Sequence, residues 1–182
     1  MKPIANWNDI TPEVEGMRSK LQPGGYVVKI TGVINDPKKE YLKVVYDIAE
    51  GPEAGRYSDD WGQNPDNDYA HSFFRSYKEK ALGMFKGFVQ TVEASNAGYK
   101  WDWHEEKLAG KLIGIVLGSE EYMSNRGEIA TRLTVRSVTT PEKIRAGEFV
   151  VPDVKKYKPK AETAVAAPIQ GPELVEDPDI PF

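Results

Sequence analysis

The stretch Gly24–Glu50, GGYVVKITGVINDPKKEYLKVVYDIAE, decides the fold. Both halves are rich in β-branched and aromatic residues that alternate with polar ones, and a turn signal, DPKK at 36–39, separates them. The apolar residues that share one face are Tyr26, Val28, Ile30, Leu42, Val44, Tyr46 and Ile48. The pattern therefore predicts a long antiparallel hairpin.

Further elements follow the hairpin after a loop region, 51–68, that is full of Gly, Pro, Asn and Asp. Apolar residues spaced three and four apart predict a helix, and alternation predicts strands on either side of it. The predicted elements are a strand at His71–Tyr77, a helix from Leu82 to Val92, strands at Lys111–Leu117 and Glu128–Val138, and a short closing helix within Thr140–Gly147.

The order of three strands, a helix and two strands matches the five-stranded Greek-key OB barrel, in which a helix falls between the third and fourth strands. Other small α+β domains share this order. We predict a mainly β protein with an OB-fold nucleic-acid-binding domain at 1–154. Residues 155–182 begin with interleaved Pro and Ala and predict a flexible linker and an acidic docking tail, disordered in the free protein.

Composition narrows the class of protein. A chain of 182 residues suits one domain with a tail, and the lack of cysteine excludes disulfide scaffolds and cysteine-ligated zinc. The first residues show no signal-peptide pattern, and nowhere do eighteen apolar residues run together. These patterns predict a soluble cytoplasmic protein without a membrane partner.

Charge is distributed unevenly along the chain. Five of the 28 acidic residues follow Lys160 and none of the 24 Lys and Arg residues does, so residues 1–160 carry about +1 and the tail carries the negative excess. Such asymmetry suggests a body and an acidic arm with different partners.

The sequence finishes with DPDIPF, Asp177–Phe182. Apolar residues are unusual at a chain terminus, so Phe182 either anchors on the domain or belongs to a short linear motif. An OB-like body, a Pro/Ala linker and this ending together resemble the bacterial single-stranded DNA-binding proteins, although Pro178 interrupts the run of aspartates. The resemblance implies docking of replication, repair and recombination proteins by Asp177, Asp179, Ile180, Pro181 and Phe182.

The body resembles a different family. The stretches YDIAEGPEAGRY, FKGFVQTVEASNAGYKWDW and EEYMSNRGEI are similar to a family of bacteriophage or prophage proteins encoded beside recombination and replication functions. This second resemblance covers most of residues 20–150. It implies a sequence-tolerant single-stranded DNA-binding protein of phage replication or recombination, in the cytoplasm of a bacterial host.

A single-strand binder needs cations along the phosphates and flat rings for the bases, and the sheet face opposite the core should supply them. If Phe74 points inward, then Phe73, Arg75 and Tyr77 form an outward row, but the pattern does not distinguish Phe73 from Phe74. Taken singly, outward cations are usually just solvated. The predicted nucleic-acid-binding residues are Lys29, Tyr41, Lys43, Trp61, Phe73, Arg75, Tyr77, Tyr122, Arg132 and Arg136.

The densest aromatic cluster, Trp101-Asp102-Trp103, has acidic neighbours that would repel phosphate. We expect it to cap the bottom of the barrel rather than to bind bases.

Catalysis has weak support in the sequence. Asp59, Asp60, Asp66 and Asp68 could be Mg²⁺ ligands, but acidic residues are expected in such a loop anyway. The two histidines lack ligand spacing, and no phosphate-binding loop is present. We expect no enzymatic activity, no cofactor and no metal. The alternative to DNA binding is an OB-fold adaptor that binds only proteins; whether the chain forms a homo-oligomer stays open.

Overall fold

The computed structural model describes residues 21–58 and 71–158, which form five strands with helical segments between and after them. A helix, α1, separates the third strand from the fourth, and a short helix, α2, follows the fifth. The bounds are β1 Gly24–Asp36, β2 Tyr41–Ile48, β3 Ser72–Ser76, α1 Leu82–Ser95, β4 Leu112–Met123, β5 Ile129–Thr139 and α2 Pro141–Arg145. Two 3-10 turns lie at Glu79–Ala81 and Glu105–Leu108.

The strands form one sheet in the order β3-β2-β1-β4-β5, and every neighbouring pair is antiparallel. The hydrogen-bond register shifts between Ile30 and Gly32 in β1 and between Val116 and Leu117 in β4. Within the described residues β3 and β5 are not paired, so this sheet is not closed into a barrel. The prediction of a mainly β protein with a helix after the third strand is confirmed.

One face of the sheet carries the main core. The predicted apolar faces of the hairpin are confirmed, because Val28, Ile30 and Val44 are fully buried in this core. Helix α1 packs against the same core through Phe88, Val89 and Val92. Leu82, which the spacing also placed on the buried stripe of the helix, is half exposed.

The opposite face of β1 and β4 is buried as well. Val27 and Val116 are 4% and 2% exposed, yet neither belongs to the main core cluster. Residues 141–157, which we call the C-terminal strap, cover them. A β-carbon on Gly114 would lie 2.6 Å from Ile144 of the strap, so glycine allows this close approach. Burial on both faces explains why β4 begins as a nearly continuous apolar run.

The end of the strap runs beside the second half of β4. The Lys155 backbone N–H donates to the Ser119 carbonyl (3.0 Å), and its own carbonyl accepts from the Glu121 N–H (2.9 Å). The Tyr157 N–H donates to the Glu121 carboxylate (3.1 Å). Contacts with the sheet thus continue to residue 157, past the domain boundary that the sequence suggested after residue 154.

In the part of the chain that the structure describes, we find no helix with the length and apolar character needed to cross a membrane.

Candidate nucleic-acid interface

Four residues on the first three strands, two of them exposed and two partly buried, form a surface of apolar, aromatic and basic side chains on the face away from the main core. Phe74 is 52% exposed, and its ring meets the ring of Tyr41 edge to face at 5.0 Å between centroids. Lys43 is the cross-strand partner of Phe74 on one side and of Ile34 on the other. Ile34 is 55% exposed. We call Ile34, Tyr41, Lys43 and Phe74 the outer patch.

The predicted outward position of Phe73 is wrong. Phe73 is 6% exposed and lies in the core, 5.9 Å from the ring of Phe88 and 6.0 Å from that of Tyr46. Its cross-strand partner is the fully buried Val44, and directly paired residues share a face of the sheet. Phe74, the next residue, therefore takes the exposed position.

Arg75 and Tyr77 lie on the same inner side of the sheet as Phe73. The prediction that all three residues face outward is therefore wrong. Arg75 is paired with the buried Leu42, and its guanidinium carbon lies 4.5 Å from the centroid of the Phe73 ring. Burial lowers the pKa of Arg75 to about 10. The Tyr77 hydroxyl donates to Asn35 (2.9 Å), and its ring packs on Phe85.

Lys29 lies on the outer face, as predicted, because it is exposed and pairs with Asp47 across β1 and β2. Thr31, two residues further along β1, is exposed too. These residues extend the outer patch toward the other end of the hairpin.

The predicted residues of β4 and β5 form a second, separate cluster. The Arg132 guanidinium lies 5.0 Å from the centroid of the Tyr122 ring and 3.4 Å from the Glu120 carboxylate. Glu120 also pairs with Lys155, and these two cations hold the pKa of Glu120 below its usual range, Lys155 most strongly.

Arg136 lies on the same side of the sheet, where its side chain and that of Pro152 pack over Gly118. The C-terminal strap thus lies across β1 and β4, between this cluster and the outer patch. The single continuous face expected from the sequence is divided in two. Trp61 and the tail residues Asp177–Phe182 lie outside the described residues.

A cleft of about 310 Å³ opens beside the outer patch. Thr31, Val45 and Asp47 line it on the sheet side, and Tyr57, Ser58 and His71 line it on the other, with Tyr46 between. The Tyr57 and His71 rings are stacked, 5.0 Å apart. The alternation of the strands did not reveal this cleft, because its far wall belongs to the connection between β2 and β3.

The two tryptophans of Trp101-Asp102-Trp103 keep a ring contact, with 6.1 Å between centroids, but differ in burial. Trp101 packs against the core and lies 6.2 Å from the ring of Phe85, as expected for a capping residue. Trp103 is 79% exposed and has a left-handed backbone, with φ of 69°. A tryptophan held out in that conformation is unusual and was not expected from the sequence.

Comparisons with known proteins do not assign a family: no protein-family model matches the sequence, and no curated protein matches it significantly. Within 21–58 and 71–158, no three His, Asp or Glu side chains come together as metal ligands would. The four loop aspartates considered as Mg²⁺ ligands lie outside these ranges.

Proposed function

We propose that this protein binds single-stranded DNA across the outer patch, with little dependence on sequence. The observation that carries the proposal is the ring pair of exposed Phe74 and partly buried Tyr41, beside Lys43 on the same two strands. Exposed rings offer stacking surfaces to any base, and the ammonium group offers a counter-charge to phosphate.

The arrangement of the sheet supports the same function. The order β3-β2-β1-β4-β5 is that of an OB barrel opened between its third and fifth strands, with a helix in the expected place. OB folds bind oligonucleotides on the face of strands 2 and 3, where Tyr41, Lys43 and Phe74 lie. We therefore propose that the domain is a partly open member of the OB type.

Binding of labelled single-stranded DNA, measured by fluorescence anisotropy over a range of salt concentrations, tests the proposal. Replacing Lys43 with Gln removes one phosphate contact. The negative slope of log K against log salt should therefore become less steep by about 0.7. Lys86→Gln, at an exposed lysine on α1, is the matched control and should leave the slope unchanged. Absence of binding by the wild-type protein at low salt contradicts the proposal.

We also propose that Asp177–Phe182 recruits replication, repair or recombination proteins of a phage or its bacterial host. The segment joins two carboxylates to an Ile-Pro-Phe sequence, so a partner with an apolar pocket and a basic rim would complement it. Deleting Ile180–Phe182 should abolish capture of such partners and leave DNA affinity intact. Loss of both activities would indicate that Phe182 anchors on the domain instead.

A protein-binding adaptor is the second candidate function, and Trp103 favours it. An indole that is 79% exposed on a left-handed backbone is typical of a binding residue. Trp103→Ala should leave DNA affinity unchanged under the first proposal. A wild-type protein that binds partners but no oligonucleotide would favour the adaptor.

A further inference from the structure

Two polar side chains on the sheet side of the cleft, Asp47 and Thr31, differ in their hydrogen bonding. The Asp47 carboxylate is fully occupied, because it accepts the backbone N–H groups of Ile48, Tyr57 and Ser58 and the Ser58 hydroxyl at 2.7–3.1 Å. Its role is to hold the far wall of the cleft against β2. The hydroxyl of Thr31, by contrast, makes no hydrogen bond with any described residue.

The rest of the cleft is suited to a flat ring. Val45 supplies an apolar surface on the sheet side, and the stacked rings of Tyr57 and His71 line the other side. A volume of about 310 Å³ exceeds that of one heterocyclic base and leaves room for its sugar at the opening. Concave sites that bind small molecules commonly combine apolar walls with a few polar groups in this way.

The position of the cleft links it to the outer patch. Val45 lies two residues from Lys43 on the same face of β2, and Lys43 is paired with Phe74. Two residues of a β-strand span about 7 Å. A nucleic-acid strand that stacks one base on Phe74 therefore brings a neighbouring base to the cleft.

We propose that the cleft takes one unstacked nucleobase, which Val45 contacts with its methyl groups and Thr31 with its hydroxyl. This inference rests on the proposed DNA-binding function and deepens it. Stacking on Phe74 and Tyr41 accepts every base, whereas a cleft with apolar walls and the Thr31 hydroxyl in its lining discriminates among them. The protein should then bind DNA of any sequence but prefer one kind of base at a single position.

Homopolymers of dT, dC and dA of equal length, compared by fluorescence anisotropy, test the preference. The affinity of the wild-type protein for the homopolymer it binds best should exceed its affinity for the one it binds worst by about tenfold, the equivalent of one moderately strong contact. We call this ratio of affinities the spread. Val45→Phe, which fills the cleft, should reduce the spread to less than about twofold, and Thr31→Val should reduce it in part. Phe74→Ala should weaken binding to all three homopolymers by the same factor and so leave the spread unchanged.

Val150→Phe is the matched control, because Val150 is 85% exposed in the C-terminal strap and does not line the cleft. It should preserve the wild-type spread. Equal affinities of the wild-type protein for the three homopolymers, or an unchanged spread in Val45→Phe, overturn the inference while leaving the proposed function in place.

Methyl NMR with deoxynucleoside monophosphates tests the cleft without relying on oligonucleotide binding. Ring currents of a bound base should shift the methyl signals of Val45 and Thr31 but not those of Val150. A protein that binds no oligonucleotide would refute the proposed function alone. Absence of these shifts with all four monophosphates would refute the nucleobase cleft.

Discussion

The ring of Phe149 lies directly against the backbone of Gly25, so that a β-carbon on Gly25 would come within 2.6 Å of two ring carbons. A β-carbon on Gly114 would likewise lie 2.6 Å from Ile144 and 2.7 Å from the Thr140 carbonyl oxygen. Glycines in β1 and β4 thus form the surface on which the C-terminal strap is seated.

Adding a methyl group under the strap should destabilise the protein. Gly25→Ala and Gly114→Ala should each lower the free energy of unfolding by about 1–3 kcal/mol, because overpacking forces neighbouring atoms to move. Gly32→Ala is the control, since nothing lies within 4 Å of its added carbon. Urea unfolding measures the effect. Equal urea midpoints for all three variants would contradict this prediction, since they would show that the strap moves aside with no loss of stability.

Substituting Phe73 should affect mainly the stability of the protein, whereas substituting Phe74 should affect mainly its binding of DNA. Phe73→Ala removes a core ring and should cost about 3–5 kcal/mol of stability. Phe74→Ala should leave stability nearly unchanged but weaken single-stranded DNA binding by about 1–3 kcal/mol, the contribution of one stacked base. Urea unfolding and anisotropy titration of both variants check this. A Phe74→Ala protein with wild-type affinity would place the DNA on another surface.

Arg75 is a partly buried cation for which the described residues supply no carboxylate partner. It retains a hydrogen bond to the Phe74 carbonyl at 3.0 Å and its contact with the Phe73 ring. Arg75→Met keeps the length and removes the charge, so stability should stay equal or rise by up to about 3 kcal/mol. Thermal and urea unfolding measure it. A clear loss of stability would show that the ring contact outweighs the desolvation of the charge.

Alkaline pH should destabilise the protein through Tyr46 and Tyr57. Burial raises the pKa of Tyr57 to about 12. Burial also raises the pKa of Tyr46, and the nearby Tyr57 adds to this effect. An unfolded tyrosine ionises near pH 10, so above that pH the unfolded state releases protons that the folded state retains, and stability falls as pH rises.

The contribution of Tyr57 is about 2–3 kcal/mol, present in full below pH 10 and lost between pH 10 and 12. Tyr57→Phe should therefore flatten the decline, which urea unfolding at pH 8 to 11 would record. Tyr157→Phe, at a partly buried tyrosine of the strap, serves as a control. Identical pH profiles for Tyr57→Phe and the wild-type protein would contradict this account.

The hairpin of β1 and β2 was predictable because alternation alone determines which residues are buried when one face is covered. The strand β3 was not, since Phe73 and Phe74 are adjacent and equally apolar, and only the pairing with β2 decides between them. The extension of β4 to Met123 was missed because Ser119, Glu120 and Glu121 are polar and the side chains at 119–122 are all partly buried, so no alternation marks this part of the strand.

The candidate site was predictable only in part, for the same kind of reason. Tyr41, Lys43 and Lys29 follow from alternation in the hairpin. The cleft does not, because it depends on an extra residue between Ile30 and Gly32 and on the helical turn at 56–58, whose backbone Asp47 holds. Bulges and side-chain bonds to loop backbones leave little trace in a periodic pattern.

The C-terminal strap also has a consequence for synthesis on the ribosome. All five strands leave the ribosome before Ile144 and Phe149 do, so a nascent sheet exposes Val27 and Val116 until the strap arrives. During that interval the nascent chain presents an apolar surface that the finished protein conceals, and chaperones act on such surfaces. Slow translation between β5 and Phe149 would therefore lengthen the period in which the chain is prone to aggregate.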